Sequence, residues 1–182
     1  MQDLWVFGYG SLMWRPGFEF VERRASRLHG YHRAFCVYSH VHRGTPEHPG
    51  LVFGLDAGGS CRGVAFRVEE AKADHVRHYL QEREQVTSVY VERMASVVLE
   101  DSVQRVEALC FVVDRKHHQY AGALDFETQV ELITHGVGQS GTNPEYLAGM
   151  IRHLDEAGIA DKELSRLWHA VEMRQHQLAA SR

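Results

Sequence analysis

Near the start of the chain a run of four apolar residues, Leu4-Trp5-Val6-Phe7, passes directly into Gly8-Tyr9-Gly10-Ser11-Leu12. The run reads as a buried strand, and the two glycines call for a sharp backbone turn where it ends. Glycine reaches positive φ and lets a ligand lie against bare main chain. Successive N–H groups in such a turn form a nest for an oxyanion or a carboxylate. The fold must therefore bury this strand and leave the turn at its end accessible. That makes the turn the first candidate site, and its chemistry depends on the residues brought to it.

The bulk composition narrows the classes of partner. At 182 residues and 44% hydrophobic content the chain has enough apolar material for one packed domain, expected over residues 1–182. Twenty basic residues against 24 acidic ones leave a formal charge of −4, which provides no electrostatic footprint for nucleic acid or an anionic membrane. No apolar run approaches the length of a bilayer span, and the first residues lack a basic-then-apolar signal pattern. Cys36, Cys61 and Cys110 are odd in number and far apart, so neither a disulfide framework nor a Cys-x-x-Cys pair is present. Buried, reduced thiols in a cytoplasmic protein are the expectation.

Along the chain, Trp14 to Arg24 is mixed and is expected to wrap the surface, whereas Leu28 to Ser39 has the aromatic and β-branched content of a strand. Val41 to Gly50 is a loop by its glycines and prolines. Leu51–Asp56 and Gly63–Val68 read as a hairpin joined by Ala57-Gly58-Gly59-Ser60. Glu69 to Glu84 is helical, and Val89–Leu99 with Val103–Asp114 suggests a second hairpin turning at Glu100-Asp101. Phe126, Val130 and Ile133 follow at helix spacing until Gly136 and Gly138 interrupt them. Thr142-Asn143-Pro144-Glu145 is a helix start with a capping residue, an early proline and a glutamate three residues after the cap. A last helix from about Asp161 carries Leu164, Leu167, Trp168 and Val171. Strands, one central helix, more strands and then helices predict an α+β domain.

Several motifs invite chemistry that their context does not support. Gly8-Tyr9-Gly10 lacks the third glycine of a dinucleotide fingerprint, because Met13 occupies that position. Gly136, Gly138 and Gly141 complete the pattern literally but follow a helix rather than a strand, so a turn between helices is the better reading. Ser11 has no nucleophile elbow around it and no histidine placed as its base. His40 with His42 would share one strand face, and His75, His78 and Glu82 one helix face, but neither set forms a zinc signature. The second set lies on the polar side of its helix and reads as a solvated face.

Glu84 is the more informative residue. Ala73, Val76 and Leu80 mark the buried stripe of the central helix. At about 100° per residue, Glu84 falls close beneath Leu80 on the same side. A carboxylate there is costly unless paired or protonated, and the C-terminal end of the helix dipole adds to the cost. Both effects push its pKa upward, toward values useful for proton transfer near neutrality. A salt bridge with Arg83 or another arginine, or a frayed helix end, is the structural alternative.

These residues carry a family resemblance. Trp5-Val6-Phe7-Gly8-Tyr9-Gly10-Ser11-Leu12-Met13-Trp14 resembles the signature of the ChaC family of γ-glutamylcyclotransferases. The likeness continues through His42-Arg43-Gly44-Thr45-Pro46-Glu47, Pro49-Gly50 and Gly63-Val64-Ala65-Phe66-Arg67. It then runs through Tyr79-Leu80, Arg83-Glu84, Tyr90, Gly138, Ser140-Gly141, Asn143 and Glu145-Tyr146-Leu147. Met13 stands where isoleucine is common, and Ser88 where glycine often precedes the Val-Tyr pair.

The resemblance implies a compact mixed β-barrel flanked by helices. It also implies cleavage of glutathione to 5-oxoproline and cysteinylglycine, with no cofactor, no metal and no obligate protein partner. It assigns catalysis to Glu84 and substrate binding to Gly8, Tyr9, Gly10, Ser11, Leu12, Met13 and Tyr146. Arg43 and Tyr90 match motif positions without an assigned contact. Other γ-glutamyl amino acids or amines are alternative substrates, and a non-catalytic module that binds γ-glutamyl ligands is the alternative outside enzymes.

Overall fold

Strand β1 (Leu4–Gly8) is the seam of a closed five-stranded barrel. In the computed structural model, which describes residues 2–84 and 88–181, the other barrel strands are β2 (Glu22–Ser39), β3 (Gly50–Val68), β4 (Tyr90–Leu99) and β5 (Arg105–Val113). Around the barrel the order is β1, β3, β2, β4, β5. β1 runs antiparallel to β3, from Leu4 opposite Val68 to Gly8 opposite Val64, and parallel to β5 through Trp5 and Val6. That single parallel pairing makes the barrel mixed. It also buries β1 between two neighbours, as its apolar sequence requires.

By its contacts the chain divides into two units, Met1–Ala34 with Gly54–His117, and Phe35–Phe53 with His118–Arg182. In the first unit, helix α1 (Glu70–Glu84) lies on the barrel wall. Its Val76 and Leu80 pack with Val6, Leu12, Val68, Leu109 and Phe111. Leu109 and Phe111 therefore face the helix, and strand alternation turns Ala108, Cys110 and Val112 to the other side. This covers β5 on both faces and explains why Ala108 to Val113 are all buried. Full burial of one leucine such as Leu80 contributes about 1.5–3 kcal/mol.

Two expectations for this unit need correction. The predicted hairpin over Leu51–Val68 is one continuous strand. Gly58 (φ +104°) and Gly59 (φ +70°) adopt left-handed backbone within it, and a ring nitrogen of His32 on β2 lies 2.9 Å from the Gly58 carbonyl oxygen. The glycines thus bend a paired strand instead of reversing it. β2 also begins earlier than expected, at Glu22, and only the preceding residues lie outside the sheet. The hairpin of β4 and β5 agrees with expectation, in a register running from Tyr90 opposite Val113 to Val98 opposite Arg105.

The second unit contains α2 (Phe126–His135), the short strands β6 (Val137–Gly138) and β7 (Gly141–Thr142), α3 (Asn143–Glu156) and α4 (Lys162–Ala180). Thr142 and Glu145 form the capping box that the sequence predicts. The pattern Gly136, Gly138 and Gly141 belongs to the β6–β7 turn between helices. A Cβ at Gly138 would lie 2.5 Å from the Val41 carbonyl oxygen, so glycine serves close backbone packing there. Leu164, Leu167 and Val171 of α4 are buried, and Arg174 pairs with Glu127 and Glu131 of α2. Among the described residues no helix is long and apolar enough to cross a membrane.

At Gly63 on β3 a Cβ would stand 2.3 Å from the carbonyl oxygen of Gly8 and 2.8 Å from the Phe7 ring. The backbone oxygen cannot yield as a side chain can. Gly63→Ala is therefore expected to lower stability by about 1–3 kcal/mol or more, read as a reduced urea midpoint at unchanged slope.

Candidate active site

The candidate loop begins where β1 leaves the barrel. A Cβ at Gly8 would lie 3.0 Å from the Leu12 Cβ and 3.3 Å from the Met13 nitrogen, so glycine eases the tight fold-back of the chain at this position. Gly10 takes φ −134° and ψ −130°, outside the helical and extended regions, and Ser11–Met13 form one 3-10 turn closed by Met13 N–H to the Gly10 carbonyl at 2.9 Å. The N–H groups that open this turn have no acceptor within it, and no side chain caps it. Leu12 is buried in the cluster that also holds Leu80 of α1. The loop and α1 thus share one apolar anchor.

Glu84 is the last residue of α1, one turn beyond Leu80, with 18% of its side chain exposed. Burial pushes its carboxyl above the usual glutamate value of 4.5, and the Arg83 charge offsets this only in part. The geometry explains the imbalance. Arg83 Nε stands 3.7 Å from Glu84 Oε1, too far for a hydrogen bond. The other guanidinium nitrogens serve the loop: Nη1 donates to the carbonyls of Arg15 (2.7 Å) and Pro16 (3.2 Å), and Nη2 donates to Ser11 Oγ (3.0 Å). The salt-bridge alternative for Glu84 therefore holds only as a loose contact.

Tyr79 braces the same region from one turn back on α1. Its hydroxyl accepts from Arg83 at 3.1 Å, and Gly17 (φ +75°) lies so close that a Cβ there would sit 2.0 Å from the Tyr79 oxygen. Arg33 of β2 donates from Nε to the Tyr9 carbonyl at 2.7 Å. The sequence reading missed these supports. The i, i+4 spacing of Tyr79 and Arg83 was a usable signal, whereas nothing local marks Arg33. Ser88 adopts φ +56°, a left-handed conformation that glycine takes without strain.

The predicted site residues divide between the units. Gly8 to Met13 and Glu84 lie in the first, linked by Arg83. Tyr146 lies in the second, where it packs against Phe35 and Phe53 and accepts the Phe53 N–H at 3.3 Å, with the Arg43 guanidinium 5.4 Å from its ring centre. Asn143 positions that turn of α3 by taking both the N–H (2.6 Å) and the carbonyl (2.8 Å) of Leu51 on its side chain. Tyr90 borders the Leu80 cluster. His78 and Glu82 form an exposed pair. Among the described residues no group of three or more His, Cys, Asp or Glu is arranged to hold a metal ion.

The stability of the fold should record the state of Glu84. A raised folded pKa means that the native protein binds more protons than the unfolded chain between 4.5 and the raised value. That contribution is fully present below 4.5 and is lost as pH rises through the folded value. Glu84→Gln should match wild type in melting temperature at acidic pH and gain on it progressively toward neutral pH.

Comparison with known proteins places this geometry in a family. A family model described as ChaC-like protein matches residues 4–174. The glutathione-specific γ-glutamylcyclotransferase of Escherichia coli K12 is 36% identical over 164 residues, covering 90% of this chain and 71% of the relative. Human glutathione-specific γ-glutamylcyclotransferase 1 is 33% identical over 175 residues, covering 93% of this chain and 79% of the relative. The crystal structure of a yeast γ-glutamyl cyclotransferase specific to glutathione superposes with a TM-score of 0.83 at 24% identity, over 97% of this chain and 99% of that one. This last likeness is one of fold, and it agrees with the predicted mixed barrel. The chain belongs to the ChaC-like family.

Proposed function

We propose that the protein is a γ-glutamylcyclotransferase that cleaves glutathione to 5-oxoproline and cysteinylglycine, with Glu84 as the proton carrier. The observation that carries this reading is a carboxyl group held mostly out of water, with raised proton affinity, at the end of the helix clamped to the Gly8–Met13 loop. Similarity over nine-tenths of this chain to relatives named for this activity supports it.

In the reaction the substrate's α-amino nitrogen attacks its own γ-carbonyl carbon. A C–N bond forms to close a five-membered ring, and the bond to the cysteinyl nitrogen breaks. Proximity within one molecule supplies much of the rate, so the loop and one acid–base group suffice. Glu84 takes the proton that the α-ammonium must lose and delivers it to the departing amine. A carboxylate of ordinary pKa would be a weak base for that first step, which gives the raised value its use. Backbone N–H groups of Gly8 to Met13 hold the γ-glutamyl group and the tetrahedral oxyanion. A role for Tyr146 in substrate binding rests on the sequence resemblance alone. A cytoplasmic location goes with this reading and fits three scattered cysteines, all buried as thiols with no disulfide among them.

Glu84→Gln keeps the side-chain volume and removes the base. It should lower kcat for 5-oxoproline release from glutathione by about 10²–10⁴-fold with the fold intact. Near-normal turnover would reject the role of Glu84. Ser11→Ala should retain activity within about tenfold of wild type, because its hydroxyl serves as an acceptor for Arg83; a loss of about 10⁴-fold or more would mark a nucleophile instead. Parallel assays with γ-glutamyl dipeptides separate glutathione from the alternative substrates, and turnover of any of them excludes a binding-only module.

A further inference from the structure

The carbonyl side of the substrate loop is held by arginines. Arg33 donates to the Tyr9 carbonyl at 2.7 Å and to the Arg62 carbonyl at 2.8 Å. Arg23 Nη2 donates to the Met13 carbonyl at 3.3 Å. Arg83 takes the Arg15 and Pro16 carbonyls and the Ser11 hydroxyl. Three guanidinium groups, two from β2 and one from α1, thus converge on Tyr9 to Pro16.

Four other arginines of the barrel make ion pairs instead. Arg24 pairs with Glu22 and Asp101, Arg27 and Arg62 pair with Glu100, and Arg67 pairs with Asp3 and Glu22. Among the described residues, Arg23 and Arg33 have no carboxylate partner and spend their hydrogen bonds on main-chain oxygens. Arg83 has only the loose contact with Glu84. None of the three is therefore neutralised by a hydrogen-bonded carboxylate among the described residues.

Two physical effects follow. A guanidinium bound to the Tyr9 carbonyl polarises that peptide unit and makes its N–H, that of Gly10, a stronger donor. Occupied carbonyls also bias the loop to present donors rather than acceptors, in a field that favours negative charge. Both effects suit a substrate bearing carboxylates and a developing oxyanion, and both reach it through the loop.

We propose that Arg33 and Arg83, assisted by Arg23, are positioning residues that set the loop's backbone donors and supply the positive field in which the γ-glutamyl group binds and reacts. This rests on the cyclotransferase reading above and adds a layer to it.

The test measures kcat and KM for 5-oxoproline release from glutathione in Arg33→Gln, Arg33→Lys, Arg83→Gln and Arg83→Lys. Arg67→Gln, whose arginine is paired with carboxylates on the outer barrel, is the control. Loss of one charged hydrogen-bond donor predicts a fall in kcat/KM of about 10–100-fold for the glutamine variants. The fall should appear in KM as well as kcat, because the loop contacts ground state and oxyanion alike. Each lysine variant should recover part of it, since the charge remains while the fork is lost. Glutamine variants within about twofold of wild type, lysine variants no better than glutamine, or an equal loss in Arg67→Gln would overturn the proposal. If a glutamine variant does not fold, its lysine counterpart decides: reduced kcat/KM at an unchanged melting temperature supports the assignment, and wild-type kcat/KM refutes it. A wild-type protein that releases no 5-oxoproline would defeat the cyclotransferase reading itself, a result distinct from these.

Discussion

A carboxyl group at the end of an apolar helix stripe must either find a counter-charge or hold its proton more tightly. In this chain the nearest counter-charge, Arg83, is committed elsewhere. Its Nη1 and Nη2 bind the loop that follows β1 and leave Glu84 with a 3.7 Å contact in place of a hydrogen-bonded ion pair. Had the guanidinium closed on the carboxylate, Glu84 would be held in the ionised form and would be poor at taking a proton. The raised proton affinity of Glu84 thus comes from burial, which the Arg83 charge, with its bonds divided between loop and helix, offsets only in part.

The barrel makes that division possible. β1 is fixed by β3 on one edge and β5 on the other, and it delivers Gly8 to the place where α1 ends. Leu12 and Leu80 share one apolar cluster, so the loop and the helix cannot drift apart without opening the core. A Cβ at Gly63 would strike the Gly8 carbonyl oxygen and one at Gly17 the Tyr79 hydroxyl, so both glycines serve close packing around the loop. Chemistry that needs only one proton carrier and a few backbone donors can be built on such a frame, because the reacting nitrogen and carbon belong to the same substrate molecule.

Much of this was legible in the chain because it is local. The apolar run at Leu4, the 3.6-residue stripe through Val76 and Leu80, and the Thr142–Glu145 capping box are short-range patterns, and each forms as expected. Glu84 stood out because its own helix reports its burial. The sequence misled at Gly58-Gly59, where a turn-like dipeptide bends a strand that long-range pairing with β2 keeps extended. The arginine supports of the loop were not legible. Arg33 lies 24 residues from Tyr9 and Arg83 lies 72 from Ser11, and only barrel closure sets those meetings. The restraint that Asn143 places on Leu51, 92 residues away, was hidden for the same reason.

The central claim is that Glu84 titrates above the ordinary glutamate range and that this titration governs turnover. The most direct measurement is a carbon-13 NMR titration of the glutamate side-chain carboxyls, assigned with Glu84→Gln, alongside the pH profile of kcat/KM for glutathione. The account predicts one carboxyl titrating above 4.5, absent in the variant, whose midpoint coincides with the acidic limb of kcat/KM. A Glu84 signal titrating at or below 4.5, or an acidic limb unrelated to its midpoint, would contradict it.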